Sequence, residues 1–172
     1  TAEAAVLLVD ARKGLSVRFT ADEATLRPAK ARAYELPSLA VAESVGVLRL
    51  LMRQPQPDAR TVAAIESAAH WLQAHRLHDL ALERVQAPAE DTGKDVLVVA
   101  RPGASLWARF YDLEQQHPLF VDRDSQPVAF AQLPNERRTG YSWYGTWPEK
   151  LLSQELPRWR KVHALAPGDP TH

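Results

Sequence analysis

With 172 residues, 45% of them apolar and 24% charged, the chain is long enough to bury a substantial core and too apolar to be disordered throughout. Its 21 basic residues balance 21 acidic ones, so no global field draws it to nucleic acid or to a membrane surface, and any anion site must be a local cluster. The absence of cysteine excludes disulfides, thiolate metal sites and cysteine nucleophiles together.

The opening Thr1-Ala2-Glu3 carries neither an initiator methionine nor a signal peptide, which fits a processed piece of a longer chain. The longest purely apolar run, Ala4 to Val9, is too short to span a bilayer. Ala2 to Arg12 reads as a short helix, and Gly14 to Phe19 alternates apolar and polar residues as a strand does. Thr20 to Pro37 is irregular, with Pro28 and Pro37 towards its ends, and loops on rigid scaffolds are where chemistry usually sits. Ser38 to Met52 is a helix, because Val41, Val45, Leu48 and Met52 fall on one stripe. Pro55 and Pro57 break it, Asp58 is a suitable N-cap, and Ala59 to Arg76 makes a second helix through Val62, Ile65, Ala69 and Leu72. The short link between them makes a helical hairpin.

After Leu82 the pattern changes. Asp95 to Val99 and Leu106 to Tyr111 read as short strands bounded by Pro102, Gly103 and Pro118, with Leu119 to Val121 and Pro127 to Phe130 as further candidates. Pro148 to Lys161 closes the chain as a helix with proline in its first turn, and Ala164 to His172 reads as a tail. The division is thus a mainly helical 1–80 and a loop-rich 81–165 with short strands and a closing helix, all within one unit of 1–172.

Three segments set arginine beside aromatic residues outside any amphipathic helix: Lys30 to Ser38, Leu106 to Tyr111 and Glu136 to Gly145. Guanidinium groups grip carboxylates with parallel donors and rings stack on sugar faces, so such segments suit an anionic, ring-shaped ligand. At period two, Trp107, Arg109 and Tyr111 would share one face; the alternative is a structural arginine packed on rings. Arg32 with Tyr34 offers a second cation, or else an ion pair with Glu35 or Glu43. Arg123 lies between Asp122 and Asp124, where a turn residue paired with its neighbours is the plainer reading. In the third segment Trp143 and Trp147 are expected to pack inward, leaving Arg137, Arg138 and Tyr141 to line a cleft. His70, His75 and His78 read as surface or packing residues of a helix, although the spacing of His75 and His78 alone would permit zinc. Asp91, Asp95, Asp122 and Asp124 lack the glycine and spacing of a calcium loop.

Arg32-Ala33-Tyr34-Glu35-Leu36-Pro37-Ser38 with Glu43-Ser44, Trp107-Ala108-Arg109-Phe110-Tyr111, Asp122-Arg123-Asp124 and Arg137-Arg138-Thr139-Gly140-Tyr141-Ser142-Trp143-Tyr144-Gly145 resemble, in order, the C-terminal half of polysaccharide lyase family 10, the pectate lyases. The similarity runs from about Leu15 to Trp159. It implies a mainly α architecture, part of an α/α-toroid-like lyase, and calcium-dependent β-elimination of polygalacturonate by a secreted or periplasmic enzyme. By the same resemblance Arg32 is the catalytic base or charge stabiliser, while Arg109 and Arg123 bind substrate carboxylates. Tyr34, Trp107, Tyr111, Arg138 and Tyr141 would complete the substrate site, and Arg32, Arg109 and Arg123 would converge on one concave face. The calcium ligands would belong to an N-terminal half with which this chain docks. One departure stands out: the family commonly shows a Gln-His-Asp run where this chain has Val17 to Asp22, so a histidine near Arg32 is missing. The alternative is a non-catalytic module, or inactive fragment, that binds acidic polysaccharide.

Overall fold

A computed structural model of the chain describes residues 36–163. The expected helix of Ala2 to Arg12, the strand of Gly14 to Phe19, the irregular segment with Arg32 and Tyr34, and the tail from Ala164 lie outside the described residues.

Helices α1, Val41–Met52, and α2, Ala59–Ala74, form where the apolar periodicity puts them. Asp58 starts α2 by accepting the Thr61 N–H at 2.7 Å, which leaves Pro55 and Pro57 outside the hydrogen-bond ladder. The two helices pack together, and Val45, Leu48, Ile65 and Leu72 are all buried in one core. Ser38 to Ala40 are not helical, however. Strand β1, Leu39–Ala40, pairs antiparallel with β4, Phe110–Tyr111, so α1 springs directly from a strand.

A long antiparallel hairpin follows α2: β2, Leu77–Gln86, against β3, Lys94–Ala108. The β3 strand runs straight through Pro102, where the sequence suggested a break between two short strands. Between the pairs His78↔Ser105 and Leu80↔Ala100 the four residues Arg101 to Ala104 stand opposite Asp79 alone. Asp79 adopts φ 58° and its carboxylate accepts the Gly103 N–H at 2.7 Å, while Gly103 itself sits at φ 80°. The bulge absorbs a proline that has no N–H to give to the ladder. A short β5, Tyr144–Gly145, pairs with the far end of β3 at Trp107 and Ala108.

The closing helix forms in three parts: α4, Trp147–Lys150, a π-helical turn, Leu151–Glu155, and α5, Leu156–Val162. Pro157 cannot donate to the preceding turn, and the widened turn lies where its bond would have been. This segment is tied to both long helices. Glu155 accepts two bonds from Arg49 of α1, at 2.7 and 3.0 Å, and Arg160 donates to Glu66 of α2 at 2.5 and 2.9 Å. Leu151, Leu156 and Trp159 complete the same core that holds Leu72 and Trp107, so helices and strands share one interior.

The mainly α, toroid-like architecture expected from the sequence is therefore corrected. Among the described residues helix accounts for 41% and strand for 27%, with two antiparallel sheets ordered β1-β4 and β2-β3-β5. The β2 segment Leu-His-Asp-Leu-Ala-Leu-Glu-Arg-Val-Gln is rich in helix formers, yet it pairs along almost its whole length with β3, its centre, Ala81 to Arg84, lying opposite Val96, Leu97, Val98 and Val99. Cross-strand pairing with a β-branched partner overrides a weak local propensity.

Candidate functional site

Arg109 occupies the bend between β3 and β4, and its backbone is held on both sides. Its N–H donates to the Trp143 carbonyl at 2.7 Å, and its own carbonyl accepts the Val41 N–H at 2.8 Å. The β1-β4 pairing thereby sets the first turn of α1 beside it, with Glu43 in that turn. One carboxylate oxygen of Glu43, Oε1, accepts both Arg109 Nε, at 3.2 Å, and Nη2, at 2.5 Å. Both side chains are only about a quarter exposed, at 25% and 23%. The guanidinium carbon lies 5.3 Å from the Tyr141 ring centre, 5.7 Å from Phe110 and 5.9 Å from Trp147.

The rings around Arg109 support one another. Tyr141 stacks on Phe110 at 6.3 Å and packs against Trp143 at 4.8 Å. Trp147 lies over Gly145, where an added Cβ would come within 2.7 Å of the indole, so glycine is required by that close approach. The result is a cation walled by aromatic faces, anchored by one edge, whose Nη1 donates to none of the described residues. Such a group can accept a carboxylate on its free edge while a sugar ring lies on the neighbouring rings.

Trp107 and Tyr111 do not join that face. Both are essentially fully buried, at 0% and 1% exposure. Trp107 donates its indole N–H to the Leu72 carbonyl at 2.7 Å, and the Tyr111 hydroxyl donates to the His75 carbonyl at 3.0 Å. Tyr111 also meets Trp71 and His75 edge-on, at 5.1 and 5.5 Å, and burial pushes its hydroxyl up to about 12. The period-two reading fails because Ala108 and Phe110 are buried as well: the strand is packed on both faces and bends at Arg109. These two rings belong to the core.

Arg138 is likewise committed to the scaffold. Its Nε and Nη2 grip both oxygens of Asp95, at 2.7 and 2.9 Å, and Nη1 donates to the carbonyls of Leu133 and Ala131, at 2.6 and 3.3 Å. Hydrogen bonding to Asp95 raises the Arg138 pKa, and the same bonds hold the Asp95 carboxyl below its ordinary value. Beside it, Asn135 accepts the Thr92 N–H and hydroxyl and donates to the Lys94 carbonyl, so the short helix α3, Asn135–Gly140, is locked to the base of the hairpin. Arg137 donates to the Val121 carbonyl at 2.7 Å and lies over Trp143 at 5.3 Å.

Arg123 stands on an exposed turn. Asp122 and Asp124 spend side-chain oxygens on the N–H groups of Arg123 and Gln126, and Arg123 pairs across to Glu136 at 2.8 Å rather than with its neighbours. Contacts run from Arg109 through Tyr141, the buried Trp143 and Arg137 to Asp122, the chain neighbour of Arg123. The expected convergence with Arg32 lies outside the described residues, as do Arg32 and Tyr34 themselves.

No three His, Asp or Glu side chains converge to hold a metal ion among the described residues. Asp95, Asp122 and Asp124 are engaged as above, and His75 stacks on Trp71 at 3.7 Å with its Nδ1 on the Trp71 carbonyl at 2.9 Å. The described residues therefore do not fit a calcium or zinc site. What the sequence reading missed is the union of Glu43 with Arg109. The acidic residue was visible in the first turn of α1, but not the two-residue strand pairing that delivers it.

The Pectic acid lyase family model matches residues 17–152. A family 10 polysaccharide lyase from Cellvibrio cellulosa is similar in structure, with a TM-score of 0.70 and 31% identity over 92% of this chain. An aspartate-to-alanine mutant of the family 10 polysaccharide lyase from Cellvibrio cellulosa, in complex with trigalaturonic acid, gives a TM-score of 0.69 and 32% identity over 88% of this chain. Both alignments cover 48% of the solved chain, so this chain spans about half the length of the structures it matches. No curated protein matches it significantly.

Proposed function

The chain belongs to the pectic acid lyase family, and from that premise we propose that it forms part of a pectate lyase that cleaves polygalacturonate by β-elimination. The observation that carries the reading is the Arg109 site: a cation held by one edge, ringed by Tyr141, Phe110 and Trp147, whose Nη1 has no hydrogen-bond partner among the described residues and can take a uronate carboxylate.

In the elimination, a base removes the proton on C5 of a galacturonate unit. The electron pair of that C–H bond passes through the enolate-like carboxylate to form the C4–C5 double bond, and the glycosidic oxygen leaves from C4 with a proton. Charge that develops on the carboxylate is what a fixed guanidinium stabilises. Arg109 takes that carboxylate or the one next to it, and Arg123 a further one. Arg32 serves the reaction centre, as base or as charge stabiliser; with an ordinary arginine pKa above about 12, charge stabilisation is the cheaper role. Tyr141 offers its ring to a sugar face. On this reading calcium is held by carboxylates outside the described residues, in an N-terminal half that docks onto this one. The location is secreted or periplasmic, since a polymeric substrate lies outside the cell; among the described residues no helix is long and apolar enough to cross a membrane.

The test is to incubate the chain with polygalacturonate and calcium and follow the ultraviolet absorbance of the unsaturated product. Absorbance that rises, and that fails to rise after Arg32→Ala, supports the lyase. Binding of trigalacturonate without any product supports instead the acidic-polysaccharide-binding module or an inactive fragment.

A further inference from the structure

Glu43 looks at first like a hindrance to an anion site, because it places a negative charge against the cation that should attract substrate. Its geometry argues otherwise. Oε1 takes both Nε and Nη2 of Arg109, capturing the inner edge of the guanidinium, while the other oxygen, Oε2, is buried with no hydrogen-bond partner. A buried carboxylate oxygen without a donor is unfavourable, so this pair is not arranged for the greatest stability. What it does achieve is orientation. Arginine has many rotamers, and the surrounding rings fix where its guanidinium lies but not how it is turned about the side-chain axis. The carboxylate fixes that turn, and it leaves Nη1 without a hydrogen-bond partner among the described residues.

We infer that Glu43 is a positioning residue for Arg109, aligning its guanidinium to receive a uronate carboxylate; this rests on the carboxylate-binding reading of Arg109. Glu43 itself touches no substrate. It is delivered by the register Leu39↔Tyr111 and Ala40↔Phe110, which fixes the start of α1 relative to Arg109. The α1 helix and the binding arginine are therefore one mechanical unit.

Two neutral variants separate orientation from charge. Glu43→Ala and Glu43→Gln remove the same negative charge, which alone would strengthen attraction for a polyanion equally in both. Only the glutamine keeps an acceptor for Nε and Nη2. The measurement is calorimetric titration of the chain with trigalacturonate, alongside thermal melting of each variant. Positioning requires Glu43→Ala to bind about 10-fold more weakly than the unmodified chain and Glu43→Gln to stay within about 3-fold of it. Glu43→Asp keeps the charge but falls one methylene short, and it should weaken binding as alanine does. Added to Arg109→Ala, the Glu43→Ala change should cost nothing more, because its effect passes through the arginine. Equal affinities for the alanine and glutamine variants, or full affinity for the aspartate variant, would overturn the inference. So would a further loss in the double variant. If Arg109→Ala weakens binding and no Glu43 variant does, only the positioning role falls. If Arg109→Ala leaves affinity unchanged, or the unmodified chain does not bind, the reading of the site falls with it.

Discussion

Arg138→Met tests whether that arginine belongs to the scaffold or to the substrate. Its side chain is 11% exposed and its partner Asp95 13% exposed, and Asp95 would keep only the Val96 N–H at 2.7 Å and a long bond from Asn135 at 3.4 Å. The carbonyls of Leu133 and Ala131 would also lose their donor. Removing one partner of a buried, hydrogen-bonded ion pair costs about 3–5 kcal/mol; the backbone bond left to Asp95 and its slight exposure bring the expected loss to about 2–3 kcal/mol. For a chain of this size that lowers the melting temperature by roughly 5–10 °C. Urea unfolding of the variant should show that loss, while titration with trigalacturonate under folding conditions should show affinity within about 2-fold of the unmodified chain. Adding Asp95→Asn should recover part of the stability, since the stranded charge is then gone. An unchanged denaturation midpoint together with a 10-fold loss of trigalacturonate affinity would refute the reasoning and return Arg138 to the substrate site.

Three other outcomes follow from the same structure. Burial lowers the His75 pKa below its ordinary value near 6.5, so the unfolded chain binds the proton more readily; stability is full above about pH 6.5, falls as pH drops through that value, and stops falling below the folded pKa. Replacing His75 by Phe should flatten that part of the pH profile in thermal melts, and an unaltered slope would exclude His75 as its source. Gly145→Ala drives a methyl into the Trp147 ring and should cost about 1–3 kcal/mol with a changed near-ultraviolet circular dichroism spectrum; an unperturbed spectrum and melt would mean the ring is not packed there. Tyr111→Phe loses the bond to the His75 carbonyl and the one accepted from the buried Ala108 N–H, and should cost about 1–3 kcal/mol while leaving trigalacturonate affinity intact; a loss of affinity would put Tyr111 in the substrate site after all.

The local half of this fold was legible in the sequence. The Val41, Val45 and Leu48 stripe, the Asp58 cap and the proline-led closing helix each depend on residues within a few positions of one another. The β2 strand was not legible, because its residues favour helix and only its pairing with distant Val96 to Val99 makes it extended. Arg109 does lie among rings, but not the ones its sequence neighbours suggested. Period two put Trp107 and Tyr111 beside it, whereas a bend in a doubly packed strand turns those rings inward and brings up Tyr141, Trp147 and Glu43 from other elements. Arg138 shows the converse: sequence offers an arginine among aromatics, and only the fold shows its donors pointing at Asp95 and backbone carbonyls.

The central claim is that Arg109 is the carboxylate-binding cation of this chain, and titrating the unmodified chain and Arg109→Ala with trigalacturonate and with a neutral galactose trisaccharide tests it most directly. The account predicts saturable binding of the acidic sugar alone, weakened at least about 10-fold by the substitution at unchanged fold. Equal affinity for the acidic and neutral sugars, or full affinity for the acidic sugar without Arg109, would contradict it.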